Sequence, residues 1–270
     1  MVNNIAPANL TAPNNDLVQQ ILAEPEQAAP KAEITAPSDT LVTFPAGYIT
    51  SAGEVIKTAE VRELNGKDEE YILKSGTIAK AYHALLERAV VKIGNEPVTE
   101  AVLDQLLIGD RDALMLGIYR ATFGDTAEIP TICEGCDAFK TVSLNVLSDI
   151  GTKILVDPVA DRNFIVKGRK HEYLVTLPTG TTQREIVNNT DKTRAELETI
   201  LFTQCVLEID GNPILGKAQV QNIGLQDRRA ISQAITDRNP GPQLDDTTVT
   251  CPDCGGEVVV PISVGALFRF

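Results

Sequence analysis

The amino-acid sequence repeats itself once, and this repeat limits the possible folds more than any other feature of the chain. Segments of the first half recur in the same order in the second half. The matched pairs are residues 61–72 and 175–186, residues 90–97 and 206–213, and residues 108–114 and 224–231. A Cys-x-x-Cys motif follows in each half, and the offset between matched residues drifts from 114 to 118. Such drift is expected when loops of a duplicated unit gain or lose residues, so the sequence predicts two related units that meet near residue 150.

The repeated cysteine motif is formed by Cys133 and Cys136 in the first half and by Cys251 and Cys254 in the second. Strand-like segments flank each motif, which predicts a strand, a tight turn and a second strand. A turn of this kind aims both sulfurs at one ion, and two such turns facing each other complete a tetrahedral four-thiolate zinc site. The 114 residues between the motifs far exceed the roughly 15–20 of compact zinc motifs. Duplication removes this objection, because equivalent hairpins of related units can meet around a pseudo-twofold axis.

We therefore predict one structural zinc ion per chain, with Cys133, Cys136, Cys251 and Cys254 as its ligands. Paired cysteines in a reducing cytosol more often bind metal than form disulfides. Four thiolates leave no open coordination position, which favours a structural over a catalytic metal. Two disulfides, or two cysteine turns without metal, are the alternatives that remain open at this stage. The fifth cysteine, Cys205, lies in a helical pattern and is predicted to be a small buried apolar residue.

The pattern of segments predicts an α+β fold with three parts. Residues 1–40, which contain five prolines, form a flexible N-terminal arm with one short apolar helical pattern. Residues 41–150 form the first repeat and residues 151–270 the second, each a helical module that ends in a Cys-x-x-Cys hairpin. The two hairpins are expected to pair as a split zinc ribbon.

Local patterns give two further expectations. Residues 41–44 predict a strand, and residues 45–48 (PAGY) predict a turn directly after it. Asp110 is expected to be the N-cap of a helix, with Asp112 in its first turn. This interpretation explains the acidic segment of residues 110–112 without an acidic catalytic site.

Composition and charge exclude several classes of function. A net charge of −13 and an isoelectric point near 4.6 make nucleic acid and anionic membrane poor partners, because phosphate groups repel such a surface. No apolar run approaches the ~20 residues of a membrane span, and the first residues lack the pattern of a signal peptide. We therefore expect the chain to be made in the cytosol.

No sequence motif indicates catalysis. The chain contains two histidines, His83 and His171, and neither belongs to a recognisable nucleophile motif. Phosphate-binding glycine loops and metalloprotease or hydrolase signatures do not occur. The basic residues 167–170 are predicted to lie at a solvated hairpin tip. The prediction is therefore a protein that is not an enzyme and has no catalytic residues.

Several segments together resemble a family of tailed-phage baseplate proteins, typified by the T-even baseplate hub subunit and the baseplate hub assembly chaperone. The segments are residues 106–116 (LLIGDRDALML), 120–125 (RATFGD), 45–48 (PAGY), 61–70 (VRELNGKDEE), 175–180 (VTLPTG), 240–242 (PGP) and 251–255 (CPDCG). The resemblance covers residues 41–270 and is to the longer, duplicated members. The first cysteine motif departs from the usual pattern, because Glu134, Gly135 and Asp137 replace a proline and a following glycine.

The resemblance implies a structural protein of the phage tail baseplate or hub, with other tail proteins as partners and with no catalytic residues. Partners are expected on the N-terminal arm and on helical faces, in multiple copies of a symmetric assembly. The expected location is the virion, after assembly in the host cytoplasm. An assembly chaperone that leaves before the virion matures is the first alternative, and a host zinc-ribbon interaction module is the second.

Overall fold

The computed structural model describes residues 40–189, 191–244 and 247–269. The predicted N-terminal arm, residues 1–40, lies outside the described residues except for Thr40. The described residues belong to one compact unit, Ala36–Phe270. The fold is a mixed α+β arrangement of small antiparallel sheets and helices, as the pattern of segments predicted.

The first half of the described chain contains an antiparallel sheet of four strands, four helices and a long hairpin. The strands, in the sheet order β1-β2-β3-β4, are β1 Leu41–Ile49, β2 Val55–Val61, β3 Val90–Ile93 and β4 Glu96–Pro97. The helices are α1 Gly66–Leu73, α2 Ile78–Ala89, α3 Glu100–Gln105 and α4 Ile108–Phe123. The hairpin that follows, the first cysteine hairpin, consists of β5 Thr126–Cys133 and β6 Ala138–Asn145.

The second half has the same kinds of element. A short strand, β7 Thr152–Lys153, and a 3₁₀ turn, Ala160–Arg162, lead into it. Its sheet strands, again neighbours in chain order, are β8 Asn163–Lys167, β9 Glu172–Thr176, β10 Val206–Ile209 and β11 Asn212–Pro213. The remaining elements are α5 Gly180–Val187, α6 Arg194–Cys205, α7 Lys217–Gln221, α8 Leu225–Arg238, β12 Gly241–Pro242, β13 Thr248–Thr250, β14 Glu257–Val259 and α9 Val264–Phe268. Strands β13 and β14 are the second cysteine hairpin.

Matching turns connect corresponding strands in the two halves. The turn between β3 and β4 begins at Gly94, with a φ of 57°, and the turn between β10 and β11 begins at Asp210, with a φ of 52°. A left-handed residue is what a tight hairpin turn requires, and Gly and Asp adopt this conformation more readily than most residues.

The predicted turn at residues 45–48 is wrong. Strand β1 continues to Ile49, and its pairing with β2 shifts register between Thr43 and Tyr48. Phe44, Ala46 and Tyr48 are all buried, so this segment is held against the core, and a bulge takes the place of a chain reversal.

The predicted N-cap at Asp110 is also wrong. Helix α4 has Leu107 as its N-cap, and Asp110 lies in the first turn. The Asp110 carboxylate, which is fully buried, accepts a 2.8 Å hydrogen bond from the backbone N–H of Ala46 in β1. Its acceptor capacity is therefore used for the bulged strand instead of the helix terminus.

Each half of the described residues contains a large hydrophobic core, and the C-terminal segment packs into the core of the first half. The second core is built from β8, β9 and β10 with helices α6, α7 and α8. Val260, Ile262, Leu267 and Phe268, from the end of the second half, pack into the first core. Because this segment directly follows β14, its burial carries the second cysteine hairpin to the first.

Candidate metal centre

The four predicted ligands lie together although they come from two distant hairpins. The Sγ atoms of Cys133, Cys136, Cys251 and Cys254 all lie within 4.8 Å of one another. Across the two hairpins, the sulfurs of Cys133 and Cys254 are 3.6 Å apart, and those of Cys136 and Cys251 are 4.0 Å apart. None of the cysteines forms a disulfide.

Each cysteine hairpin turns back through the same backbone geometry. In the first hairpin, the N–H of Asp137 donates to the carbonyl of Cys133 over 2.7 Å; in the second, the N–H of Gly255 donates to the carbonyl of Cys251 over 3.0 Å. Both donors have positive φ, 54° for Asp137 and 72° for Gly255. Glycine adopts this conformation without steric cost, and aspartate is one of the few other residues that tolerate it.

Contacts beyond the sulfurs fix the two hairpins against each other. The Thr131 hydroxyl, on β5, donates to the carbonyl of Val259, on β14, over 3.3 Å. The ammonium of Lys140, on β6, forms an ion pair with the carboxylate of Asp253, which lies between the second pair of cysteines. Val258 is buried beside Cys133 and Cys251 in a small cluster of its own. The cysteines therefore sit at a packed junction of two hairpins.

The electrostatics of the cluster favour thiolate at some positions and oppose it at others. Backbone N–H groups of Cys254 and Asp253 lower the pKa of Cys251 to about 6. Hydrogen bonding to Cys133 raises the pKa of Cys136 to about 12. Four neighbouring thiolates repel one another, and a divalent cation among them removes this repulsion.

The donor set fits zinc. Tetrahedral zinc with Zn–S bonds of about 2.3 Å needs sulfurs about 3.8 Å apart, which is the range that Cys133–Cys254 and Cys136–Cys251 span. Cys133 and Cys251 are buried, whereas Cys136 and Cys254 are exposed. Soft thiolate ligands in tetrahedral geometry are typical of zinc, and four of them complete its shell without a position for substrate.

The other predicted residues lie apart from this cluster. Cys205 is fully buried in the second core, which confirms the predicted small buried residue, and burial raises the pKa of its thiol to about 12. His171 follows the tip of the β8–β9 hairpin and contacts Asp210. His83 lies on α2 and lines a small cavity. The basic residues 167–170 do lie at a hairpin tip, as predicted.

Sequence reasoning missed two buried arginines. Arg111, on α4, and Arg228, on α8, are only 2% and 7% exposed. The Nη1 of Arg111 donates to the carbonyl of Leu103, and the Nη1 of Arg228 donates to the carbonyl of Val220, each eight residues earlier. The repeated Asp-Arg dipeptide (Asp110-Arg111 and Asp227-Arg228) was the available signal, but a charged pair in a helical first turn ordinarily indicates a solvated face.

Together, the fold and the cluster define a mixed α+β protein whose two halves meet at a four-cysteine cluster with the geometry of a structural metal site. The family described as T4 bacteriophage base plate protein matches residues 48–269. The chain belongs to this family. No curated protein and no solved structure matches it.

Family membership confirms the resemblance to phage baseplate proteins. It implies a location in the virion tail, suggests other tail proteins as neighbours and suggests a role without catalysis. Among the described residues, no helix is long and apolar enough to cross a membrane.

Proposed function

We propose that this chain is a non-enzymatic structural protein of a phage tail baseplate or hub, which links neighbouring tail proteins and whose fold depends on one structural zinc ion. The observation that carries the proposal is the family match over residues 48–269. The four-cysteine cluster supports the zinc, because its sulfurs converge from residues more than 110 positions apart.

The zinc ion would connect the two halves of the chain. Structural zinc contributes roughly 10–16 kcal/mol to folding in small peptides, whereas the paired segments of the second cysteine hairpin are short. Strands β13 and β14 have three residues each, and an isolated hairpin of this size is marginal in water. The bound ion would therefore supply much of the free energy that holds this junction.

An internal duplication explains the architecture. Each half has the same order of elements: strand, strand, two helices, strand, strand, two helices and a cysteine hairpin. The paired backbone contacts of Arg111 and Arg228 support the same origin, since identical spacing at a buried charge is hard to reach by chance. We propose residues 41–150 and 151–270 as the two repeats and the cysteine hairpins as the halves of a split zinc ribbon.

Peptide mass mapping of purified virions tests the structural role. Peptides of this chain at the abundance of other baseplate proteins support a retained component. Their absence from virions, together with their presence in the lysate of infected cells, would instead support a chaperone that leaves during assembly.

Infection with phage that lack the gene distinguishes both roles from a host interaction module. Loss of baseplates or tails in electron micrographs of the lysate is expected. Normal tails, with normal infectivity, would contradict every role in the baseplate.

A further inference from the structure

The two buried arginines differ in how their charges are compensated. Arg228 forms an ion pair with Glu198, whose Oε2 lies 2.9 Å from its Nη2. A second bond, from Nε of Arg228 to the same oxygen, measures 3.1 Å. Around Arg111, no carboxylate of the described residues lies within 4.0 Å of the guanidinium; its bonds go to the neutral oxygens of Leu103 and Gln183.

The difference arises at one matched position. Glu198 is the fifth residue of helix α6, and the fifth residue of helix α2 is Tyr82. The guanidinium carbon of Arg111 lies 5.5 Å from the centre of the Tyr82 ring, and the tyrosine hydroxyl donates to Asp112 over 2.9 Å. The ring of Tyr82 therefore lies beside Arg111 in the position that the carboxylate of Glu198 occupies beside Arg228. A cation–π contact compensates a buried charge only partly, because the ring carries no net charge.

A cavity lies beside Arg111 and is lined by polar side chains of three helices. Its volume is about 120 Å³, which is more than one or two water molecules need. The polar lining residues are Lys80, Tyr82 and His83 of α2, Arg111 of α4, Gln183 and Arg184 of α5, and Asn188 directly after α5. The Nδ1 of His83 is buried and has no hydrogen-bond partner among the described residues. The lining thus offers cations and a buried ring nitrogen without a hydrogen-bond partner.

Carboxylates on neighbouring segments pair with groups other than Arg111, although the Oδ1 of Asp104 is buried without a hydrogen-bond partner among the described residues. Arg184 forms ion pairs with Glu100, at 2.5 Å, and with Asp104, at 2.6 Å. The Asp112 carboxylate accepts from Tyr82, as described above. None of these carboxylates lies within ion-pair distance of Arg111 in the part of the chain that the structure describes.

We propose that the cavity beside Arg111 binds a carboxylate from outside the chain, in the position that the carboxylate of Glu198 occupies beside Arg228. Arg111 supplies the charge, and Gln183 and His83 supply further hydrogen-bond donors. The carboxylate is a free small anion or the side chain of an acidic residue on a neighbouring molecule. This inference does not depend on the zinc site or on a place in the baseplate.

Thermal unfolding of the full-length protein in sodium chloride and in sodium propionate, at equal pH and ionic strength, tests the site. At propionate concentrations about ten times the dissociation constant, Tm is expected to rise by about 3 °C. The variant Tyr82→Glu supplies the carboxylate internally, as Glu198 does for Arg228, and should lose this rise. Arg111 is not replaced, because it also holds the carbonyl of Leu103.

Tyr71→Glu is the matched control. Its ring lies 5.3 Å from the guanidinium of Arg88, but Arg88 already forms an ion pair with Asp68. This variant should keep the full response to propionate. Equal responses of the wild type and Tyr82→Glu, or no response of the wild type, would overturn the proposal.

A second probe separates the two sources of the carboxylate. N-acetylglutamate α-amide carries the same group on a peptide-like backbone. If it raises Tm as propionate does, with the same loss in Tyr82→Glu, the cavity admits an acidic side chain of another protein. A rise with propionate alone identifies a site for free small anions.

Discussion

The Sγ of Cys133 lies 3.6 Å from the Sγ of Cys254, although the two cysteines are 121 positions apart in the chain. The two hairpins that carry them belong to different halves, and the C-terminal segment after β14 is buried in the core of the first half. Separation of the two cysteine hairpins would therefore disturb the packing of that C-terminal segment as well as the cysteine cluster.

Removal of the metal should destabilise the protein and release one zinc ion per chain. A strong chelator at neutral pH is expected to release this zinc and to lower Tm. The physical reason is that metal-binding free energy is folding free energy when the ligands come from distant segments. Elemental analysis of the purified protein and a colorimetric zinc assay during chelation give the stoichiometry.

Two cysteine variants provide the comparison. Cys254→Ser should bind no zinc or bind it much more weakly, because a serine hydroxyl is a poor replacement for a thiolate. Cys205→Ala should keep one zinc per chain, since Cys205 lies in the second core. Protein that contains no zinc as purified and melts identically with and without chelator would contradict the structural zinc.

The residue after the second cysteine of each hairpin should respond in opposite ways to substitution. Gly255→Ala is expected to cost about 1 kcal/mol or more, because alanine at a φ of 72° is strained. Asp137→Gly, which removes a side chain from a φ of 54°, should be tolerated or slightly stabilising.

Urea unfolding of both variants, with zinc present, measures these differences. Gly151→Ala is the control, because a methyl group at Gly151 meets no atom within 4 Å and its φ lies outside the left-handed region. A loss as large for Gly151→Ala as for Gly255→Ala would show that the backbone conformation is not the cause.

The ion pair between Arg228 and Glu198 gives a further prediction. Glu198→Gln keeps the shape of the side chain but leaves the arginine, which is 7% exposed, without its counter-charge. Removal of one partner of a fully buried pair costs roughly 3–5 kcal/mol; because Glu198 is partly exposed, we expect about 1–3 kcal/mol.

Glu100→Gln is the matched variant on the surface. This variant breaks the ion pair between Glu100 and Arg184. The side chain of Glu100 is 64% exposed and that of Arg184 is 39% exposed. The loss of the pair should therefore lower the free energy of unfolding by at most about 1 kcal/mol. Urea unfolding of both variants measures the two losses. Equal small losses would mean that water reaches Arg228 more freely than its burial indicates.

The parts of the fold that the sequence predicts are those with local or repeated signals. The start of strand β1, predicted over residues 41–44, and the two cysteine hairpins follow from patterns within about ten residues. The convergence of four cysteines was predictable because the sequence repeat relates the hairpins to each other. A spacing of 114 residues would otherwise have argued against a shared site.

The parts that were not predicted depend on contacts between segments distant in the sequence. The bulge in β1 is stabilised by Asp110, which is 64 residues from Ala46. No local sequence pattern predicts this hydrogen bond. Pro45 and Gly47 were therefore interpreted as a turn, and Asp110 as a helix cap. The lack of a carboxylate beside Arg111 could not be predicted from local sequence either, because it depends on the identity of Tyr82, a residue on another helix.

Asp110 and Asp227, the third residues of α4 and α8, should give a different dependence of stability on pH between pH 5.0 and pH 7.5. Burial raises the pKa of Asp110 to about 6, and its Oδ2 has no hydrogen-bond partner among the described residues. A hydrogen bond from the backbone N–H of Arg169 lowers the pKa of Asp227, which also accepts from Tyr173.

The sign follows from proton binding. The folded protein keeps a proton on Asp110 that the unfolded chain loses near pH 4, so the contribution of Asp110 to the free energy of unfolding falls as the pH rises through about 6. Asp110→Asn removes this loss. Relative to the wild type, the variant should therefore gain about 1.4 kcal/mol between pH 5.0 and pH 7.5. Asp227 is ionised in both states over this range, so the cost of Asp227→Asn should stay constant.

Urea unfolding of the wild type and the two variants at both pH values measures these changes in the free energy of unfolding. Any effect of pH on the cysteine cluster is common to the three proteins. Parallel pH profiles for the two variants would mean that Asp110 is ionised in the folded protein, and that the cost of burying its charge is met by groups other than the N–H of Ala46.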